Sequence, residues 1–306
     1  MDGGIIPLWK ERGVYSQRYI TQIRRLLDIK KVGHSGTLDP DVDGVLPIAF
    51  GYGTKVLEYM LDSDKKYRGA VTLGYSTTTE DAGGEKVESK ELGPDDVDEE
   101  KIDEVLSSFL GQIEQTPPMY SAVRVDGVRL YEYARRNITI DRPSRKVTVF
   151  HLERISPVEY DEEDKTITFA FEVHCSKGTY IRTLAVDIGR AMDIPAHMSS
   201  LTRIESAGIR ADQTYTMEEL IRAEEAGHLE DLILPIEDFL TSFDSIEVSE
   251  DLSQRIKHGA QLNLDNFIGE KAEFPALLTY DKKTLAIYEE NPNRPGWIKP
   301  LKMIRS

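Results

Sequence analysis

The segment Gly33-His34-Ser35-Gly36-Thr37-Leu38-Asp39-Pro40, continued by Asp41-Val42-Asp43-Gly44, gathers side chains that can do chemistry. Its glycines, Gly33, Gly36 and Gly44, let the backbone turn sharply and approach a ligand closely, while Pro40 confines Asp39 to extended conformations. A carboxylate held in such a turn can serve as a nucleophile, as a metal ligand, or as a turn-maker bonded to its own backbone, and composition leaves all of these open. Other groups are easier to set aside. The single cysteine, Cys175, excludes an intramolecular disulfide, and no Cys-x-x-Cys or His/Cys ligand spacing argues for zinc. His174 and Cys175 are neighbours on an expected strand, point to opposite faces, and read as packing residues. His151, His197, His228 and His258 have no partners at ligand spacing and are assigned no chemistry.

The elements that must hold this segment follow from periodicity. Ser16 followed by Ile20, Ile23, Leu26 and Leu27 predicts an N-capped amphipathic helix, and Val56, Leu57, Met60 and Leu61 after Thr54 predict a second, with the glycine-rich segment between them. Tyr67, Gly69, Val71 and Leu73 alternate with polar or small residues, as do Ile167, Phe169, Phe171 and Val173, and both runs predict strands. Thr77 to Gly93 has the composition of an exposed loop. Asp98 opens a helix through Ile102, Val105, Leu106 and Phe109. Ile181, Leu184, Ala185 and Ile188 suit another, and the capping box Thr216-Met217-Glu218-Glu219 starts one that stops at Gly227. No regular βαβ rhythm appears, so the expected main domain is α+β with a mixed or antiparallel sheet. After about Ser242 short apolar runs separated by Gly, Pro, Asn and Asp predict a small β-rich tail.

The net charge of -16 is unfavourable for a nucleic-acid enzyme, but its distribution is uneven. Lys10 to Lys31 carries seven basic and two acidic side chains, and Arg124 to Lys146 seven basic and three acidic. Glu80 to Glu104 carries twelve acidic and three basic, and Glu218 to Asp251 twelve acidic and one basic. An acidic back with two basic strips fits one polyanion-binding face, and solvated surface is the bland alternative. No stretch approaches the roughly 20 apolar residues needed to span a bilayer, and the first residues hold no signal-peptide core, so a cytoplasmic protein is expected.

What separates the alternatives for Asp39 is the longer string KKVGHSGTLDPDVDGVLPIAFGYGTK, which resembles the defining motif of the TruB family of pseudouridine synthases. The resemblance continues with DSDKKYR around Tyr67, QTPPMYSAVRVDGVRLYEYAR from Gln115 to Arg135, and HCSKGTYIRTLAVDIG from His174 to Gly189, in the family's order. It covers residues 4 to about 240 well and the tail more loosely. The fold it implies is a pseudouridine synthase catalytic domain over residues 1–242, with an RNA-gripping insertion at about 120–150, and a shortened PUA-like RNA-binding domain over 243–306, where Ile256-Lys257-His258-Gly259 resembles a helix-to-strand junction. Two positions depart from the pattern. Tyr15 stands where the family usually carries Thr or Ser, and Asp81-Ala82-Gly83-Gly84 lacks a second aspartate that relatives often have.

Carried over residue by residue, the resemblance implies Asp39 as the nucleophile, His34 as a residue holding the target loop, Tyr67 as the ring stacked on the flipped uracil, and Leu201 as the residue closing its pocket. It implies Arg182 as the partner of Asp39, Tyr180 as a group for proton transfer, and Arg124, Arg129, Arg142 and Lys146 as RNA contacts. The activity implied is isomerisation of uridine to pseudouridine at position 55 of the TΨC loop of tRNA; a tRNA folding chaperone whose work needs no catalysis is the competing reading, and both can hold at once. This chemistry breaks the N1 glycosidic bond, turns the base and rejoins it through C5, with no net redox change, so no cofactor and no metal are expected. Attack at C6, attack at C1′ and elimination at C2′ all remain open. A tyrosine is a poor base at its ordinary pKa of about 10, so Tyr180 needs a perturbing environment for that role. The short tail without a Lys-rich extension implies a stand-alone tRNA enzyme, monomeric, without guide RNA or membrane.

Overall fold

Apolar residues from most of the chain assemble around a ten-stranded mixed sheet, as seen in a computed structural model that describes residues 2–267 and 272–305. Across it run Gly3–Lys10, Asp43–Gly51, Ala196–Ser206, Lys65–Leu73, Thr166–Cys175, Arg145–Arg154 and Gly111–Gln115, in that order, with short strands pairing off the path. Neighbours are antiparallel except Ala196–Ser206, which runs parallel to Asp43–Gly51. The helices Ser16–Leu27, Glu99–Ser108, Ile181–Ala191 and Met217–Glu225 add side chains to the same core. The expected α+β class with a mixed sheet is what the chain adopts.

Strand Thr166–Cys175 follows its sequence pattern: Ile167, Phe169, Phe171, Val173 and Cys175 are buried, and the strand pairs with Lys65–Leu73 so that Val173 lies opposite Tyr67. The helix signals at Asp98 and Thr216 hold as well, since both side chains accept first-turn N–H groups. Elsewhere the structure corrects the reading. Ser16 is not the cap of its helix: Tyr15 occupies that position without a side-chain bond, and the Ser16 hydroxyl instead meets the backbone of Leu38. The expected helix after Thr54 is a 3-10 turn, Tyr52–Val56, followed by the single turn Leu57–Leu61. Within the expected loop, Tyr75–Thr77 and Lys86–Ser89 form a hairpin. The insertion contributes the hairpin Arg124–Val125 and Val128–Arg129 and the helix Leu130–Arg135, whereas Arg145 and Lys146 pair with Gln115 and Glu114 in the main sheet.

The strand Asp43–Gly51 positions the site. Leu46, Ile48 and Phe50 face the main core, while Val45 and Ala49 face a second cluster with Leu277, Ile287 and Ile304. Leu277 and Ile287 belong to the five-stranded C-terminal sheet, ordered Ser245–Glu247, Ala276–Tyr280, Lys283–Glu290, Trp297–Met303, Leu262–Asn263, and Ile304 directly follows its strand Trp297–Met303. Burial on both faces turns the strand into a continuous apolar run without alternation. Arg305 also bridges to Glu237 at 2.6 Å, and Lys55 donates to the Ile304 carbonyl at 3.0 Å, which adds polar ties to the apolar contact between the C-terminal segment and this strand.

Gly44 opens this strand at φ +120°, and a Cβ there would lie 2.2 Å from the Arg203 carbonyl oxygen. Neither a left-handed backbone nor that backbone contact is open to an L side chain. Gly44→Ala is therefore expected to lower stability by at least about 2 kcal/mol, read from the denaturant midpoint at unchanged slope.

Candidate active site

Between strand Val32–His34 and strand Asp43–Gly51 the chain forms the loop that ends in Asp39 and Pro40. The Asp39 carbonyl accepts from the Val42 N–H at 3.1 Å, closing a four-residue turn with Pro40 second, where a fixed φ suits it. The remaining carbonyls of the loop are held from outside. The Lys10 ammonium, fully buried at the end of the first strand, donates to the carbonyls of Pro40, at 2.9 Å, and Val42. Burial pushes this lysine down to about 8, against the pull of Asp43, Asp41 and Asp39. From the other side Arg203, also buried, donates to the carbonyls of Val45 at 2.8 Å and Gly36 at 3.0 Å.

Asp39 meets Arg182 with Oδ2 3.0 Å from Nη2. Arg182 is itself fixed: Nη1 donates to the Thr79 carbonyl at 3.0 Å, Nη2 donates to the Tyr120 carbonyl at 2.9 Å, and Asp81 lies 3.8 Å away. The Asp39 side chain keeps 45% of its surface open yet sits in a concavity crowded by protein. Desolvation there raises its pKa above the ordinary carboxylate range, Arg182 and Lys10 oppose the rise, and Asp81 and Asp41 reinforce it.

Two cavities meet at Asp39. The smaller, about 360 Å³, is lined by Tyr67, Tyr180, Leu201, Arg182, Arg145 and Arg203. The larger is an open cleft of about 1030 Å³ with His34, Arg12, Tyr15, Tyr120, Arg129 and Tyr131 on its walls. Tyr67 is opposite Arg203 in the strand register. Burial raises its phenol above the ordinary tyrosine value and the Arg203 charge opposes this, so the ring is protonated and neutral at neutral pH. His34 is held below its usual value by burial and by Arg203, and its Nδ1 has no partner among the described residues. The Tyr180 ring lies 4.7 Å from the Arg145 guanidinium carbon, and the buried Gln115 amide clamps its backbone by bonds of 2.9 and 3.2 Å.

The structure thus brings Asp39, Arg182, Tyr67, Tyr180 and Leu201 around one cavity and places His34 and Arg129 on the adjoining cleft. It does not bring Arg124, Arg142 or Lys146 to either cavity. Arg124 donates to the Gly127 carbonyl, Arg142 donates to the Pro117 carbonyl and lies 3.9 Å from Glu80, and Lys146 is exposed on the main sheet. Sequence reasoning missed Lys10, Gln115 and Arg203. For Arg203 a signal existed: it lies two residues beyond Leu201 on one strand, and such positions share a face. Cys175 is buried with its thiol pushed up to about 12, which suits packing. Among the described residues no group of three His, Cys, Asp or Glu side chains is placed to hold a metal ion, and no helix is long and apolar enough to cross a membrane.

Comparison with known proteins gives this geometry its context. The N-terminal domain of the TruB family pseudouridylate synthases matches residues 24–181, and the tRNA pseudouridylate synthase B C-terminal domain matches residues 182–241. The chain is 48% identical to the tRNA pseudouridine synthase B of Halalkalibacterium halodurans over 98% of this chain and 97% of the relative. It is 42% identical to that of Bacillus pumilus over 99% and 98%. A chain in the crystal structure of a Cbf5-Nop10-Gar1 complex superposes with a TM-score of 0.68 at 26% identity, covering 94% of this chain and 78% of that one. Fold and site together define a pseudouridine synthase, an isomerase. Within that class the chain belongs to the TruB family.

Because the Arg182 charge opposes the desolvation that raises the Asp39 pKa, Arg182→Met should move the acid limb of the kcat/KM profile to higher pH, by about one to three units. An unmoved limb alongside a lower plateau would assign Arg182 to orientation alone.

Proposed function

We propose that this chain converts uridine to pseudouridine in tRNA, at position 55 of the TΨC loop, with Asp39 as the nucleophile and without a guide RNA. The observation that carries the reading is the Asp39–Arg182 pair at 3.0 Å, set in the wall between a base-sized cavity and an open cleft. The curated relatives, named tRNA pseudouridine synthase B and alike over nearly the whole chain, support it. The target base leaves its stack, which costs a few kcal/mol, and the smaller cavity offers Tyr67 as a replacement stack of about 1–3 kcal/mol and Leu201 as an apolar lid. Asp39, ionised beside Arg182, attacks the nucleoside; the N1 bond opens, the base turns, C5 bonds to the ribose carbon, the bond to Asp39 breaks, and N1 gains a proton in balance for the one C5 loses. The C5 proton then leaves, and Tyr180, on the wall of the same cavity, is the group assigned to its transfer. Substrate and product have the same atoms, so the cycle closes without a cofactor.

The cleft receives the rest of the RNA loop, with His34 on one wall and Arg129 on the insertion side. In this reading residues 1–242 form the catalytic domain and 243–306 a PUA-like RNA-binding domain, in a monomer that works in the cytoplasm.

Asp39→Asn is expected to reduce pseudouridine formation in an unmodified tRNA transcript by at least about 10³-fold and to leave the dissociation constant for that tRNA within about threefold. Chemical mapping of pseudouridine after incubation with the purified chain reads activity, site and guide independence together. Substantial turnover by the variant would remove Asp39 from its role, and modification at another uridine would replace the site.

A further inference from the structure

Tyr15 is the most exposed large apolar or aromatic side chain among the described residues, at 68%. It occupies the N-cap position of the twelve-residue helix Ser16–Leu27 and makes no capping bond. A Ser, Thr, Asn or Asp in that place accepts first-turn N–H groups, so tyrosine here forgoes stability. Ser16 does not substitute, because its hydroxyl is engaged with Leu38, and the first turn carries no acidic residue. The ring also lacks a partner of its own: among the described residues no aromatic ring stacks on it and no cation sits over it. Tyr131, by contrast, has the guanidinium carbons of Arg129 and Arg135 at 5.8 and 5.2 Å from its ring centre.

Where this ring stands gives it a use. Tyr15 lines the large cleft together with Arg12, Asp39, Arg129, Tyr131 and Arg135. At about 1030 Å³ the cleft has nearly three times the volume of the 360 Å³ base cavity, so the flipped uridine leaves most of the space to its neighbours. Guanidinium groups there meet phosphates, and a flat exposed ring among them meets a base, the combination by which proteins hold single-stranded nucleic acid.

We propose that Tyr15 is a stacking platform for a second, unpaired nucleobase that flanks the target uridine in the bound RNA loop. The proposal rests on the reading of the cleft as the tRNA site. It makes the entry of the first long helix part of substrate recognition, and it explains a helix start that gives up its cap.

Tyr15→Ser tests it with two readouts of opposite sign, since the change supplies a cap and removes the ring. The melting temperature should rise by about 1–4 °C. KM for the tRNA transcript should rise by about 5- to 100-fold with kcat nearly constant. Tyr15→Trp should keep KM close to that of the unaltered chain. Stem-loop RNAs carrying one abasic site at each nucleotide beside the uridine then identify the partner: the Tyr15→Ser penalty should vanish on one of them. A KM within about twofold of the unaltered chain, a penalty equal on every abasic RNA, or a melting temperature that falls as KM rises would each overturn the proposal. If the unaltered chain itself forms no pseudouridine in the transcript, the tRNA reading fails and this inference with it, an outcome distinct from a Tyr15→Ser variant that matches an active parent.

Discussion

The position of Asp39 depends on two buried cations that hold its loop by main-chain carbonyl groups. Between Ser35 and Asp43 the backbone has no strand partner, and carbonyl oxygens left without donors in a buried loop are costly. Lys10 serves Pro40 and Val42; Arg203 serves Gly36 and Val45. A buried charge loses several kcal/mol of hydration, and these two recover it through several short bonds to main-chain oxygens, with Asp39, Asp41 and Asp43 adding attraction for Lys10. The consequence is geometric. A loop that would otherwise be a flexible connection is fixed to the first strand of the sheet and to the strand that also supplies Leu201, so that the Asp39 carboxylate and the pocket wall are held by one frame.

This assignment of charges also resolves the tension between a net charge of -16 and an RNA substrate. Counting basic residues by strip treats Lys10, Arg24 and Arg145 as surface charge. In the fold Lys10 is buried, Arg24 donates to the carbonyls of Lys30 and Val32, and Arg145 stacks on Tyr180. The charges that reach the cleft are fewer: Arg12, Arg129, Arg135 and Arg182. Asp39, Asp41 and Asp81 line the cleft as well, with Asp39 and Asp81 beside Arg182, which leaves Arg12, Arg129 and Arg135 as its other cations, and screening over about 8–10 Å at ordinary salt limits what distant acidic residues subtract from them. Local arrangement, and not the sum, decides what a phosphate meets.

How much of this was legible in the sequence follows from what each pattern encodes. Alternation showed strand Thr166–Cys175 because only one of its faces is apolar, and the caps at Asp98 and Thr216 were legible because capping is a local interaction. Strand Asp43–Gly51 was hidden by burial on both faces, and strand Ala196–Ser206 by bulges after Met198 and Arg203 that break its period. In the site, the motif blocks led to Asp39, Arg182, Tyr67 and Tyr180, and the resemblance at HMSSLTRI to Leu201. Lys10 and Gln115 were not legible, because a buried polar residue differs from an exposed one only in what the rest of the fold packs around it, and the spacing of Arg203 from Leu201 reads as a shared face only once their strand is recognised. The same blindness placed Lys146 in the insertion, when strand pairing carries it into the main sheet.

The two cavities share a wall made by Thr37, Leu38, Asp39, Arg182 and Leu201, and this partition accounts for the state of the carboxylate. Crowding by protein desolvates the carboxyl and raises the Asp39 pKa, while 45% of the side chain is still open to water. A base filling the inner cavity and an RNA loop filling the cleft would remove that water and push the carboxyl further toward its neutral form. Arg182 stands against this, and because its guanidinium is 6% exposed and tied to the carbonyls of Thr79 and Tyr120, it does not have to be recruited when RNA binds. The cost of ordering the ion pair is met during folding, and substrate binding can strengthen the attraction by lowering the local dielectric without reorganising either partner. A carboxylate placed in a wall beside a fixed guanidinium therefore keeps the opposing charge next to it both before the RNA arrives and after the water has gone.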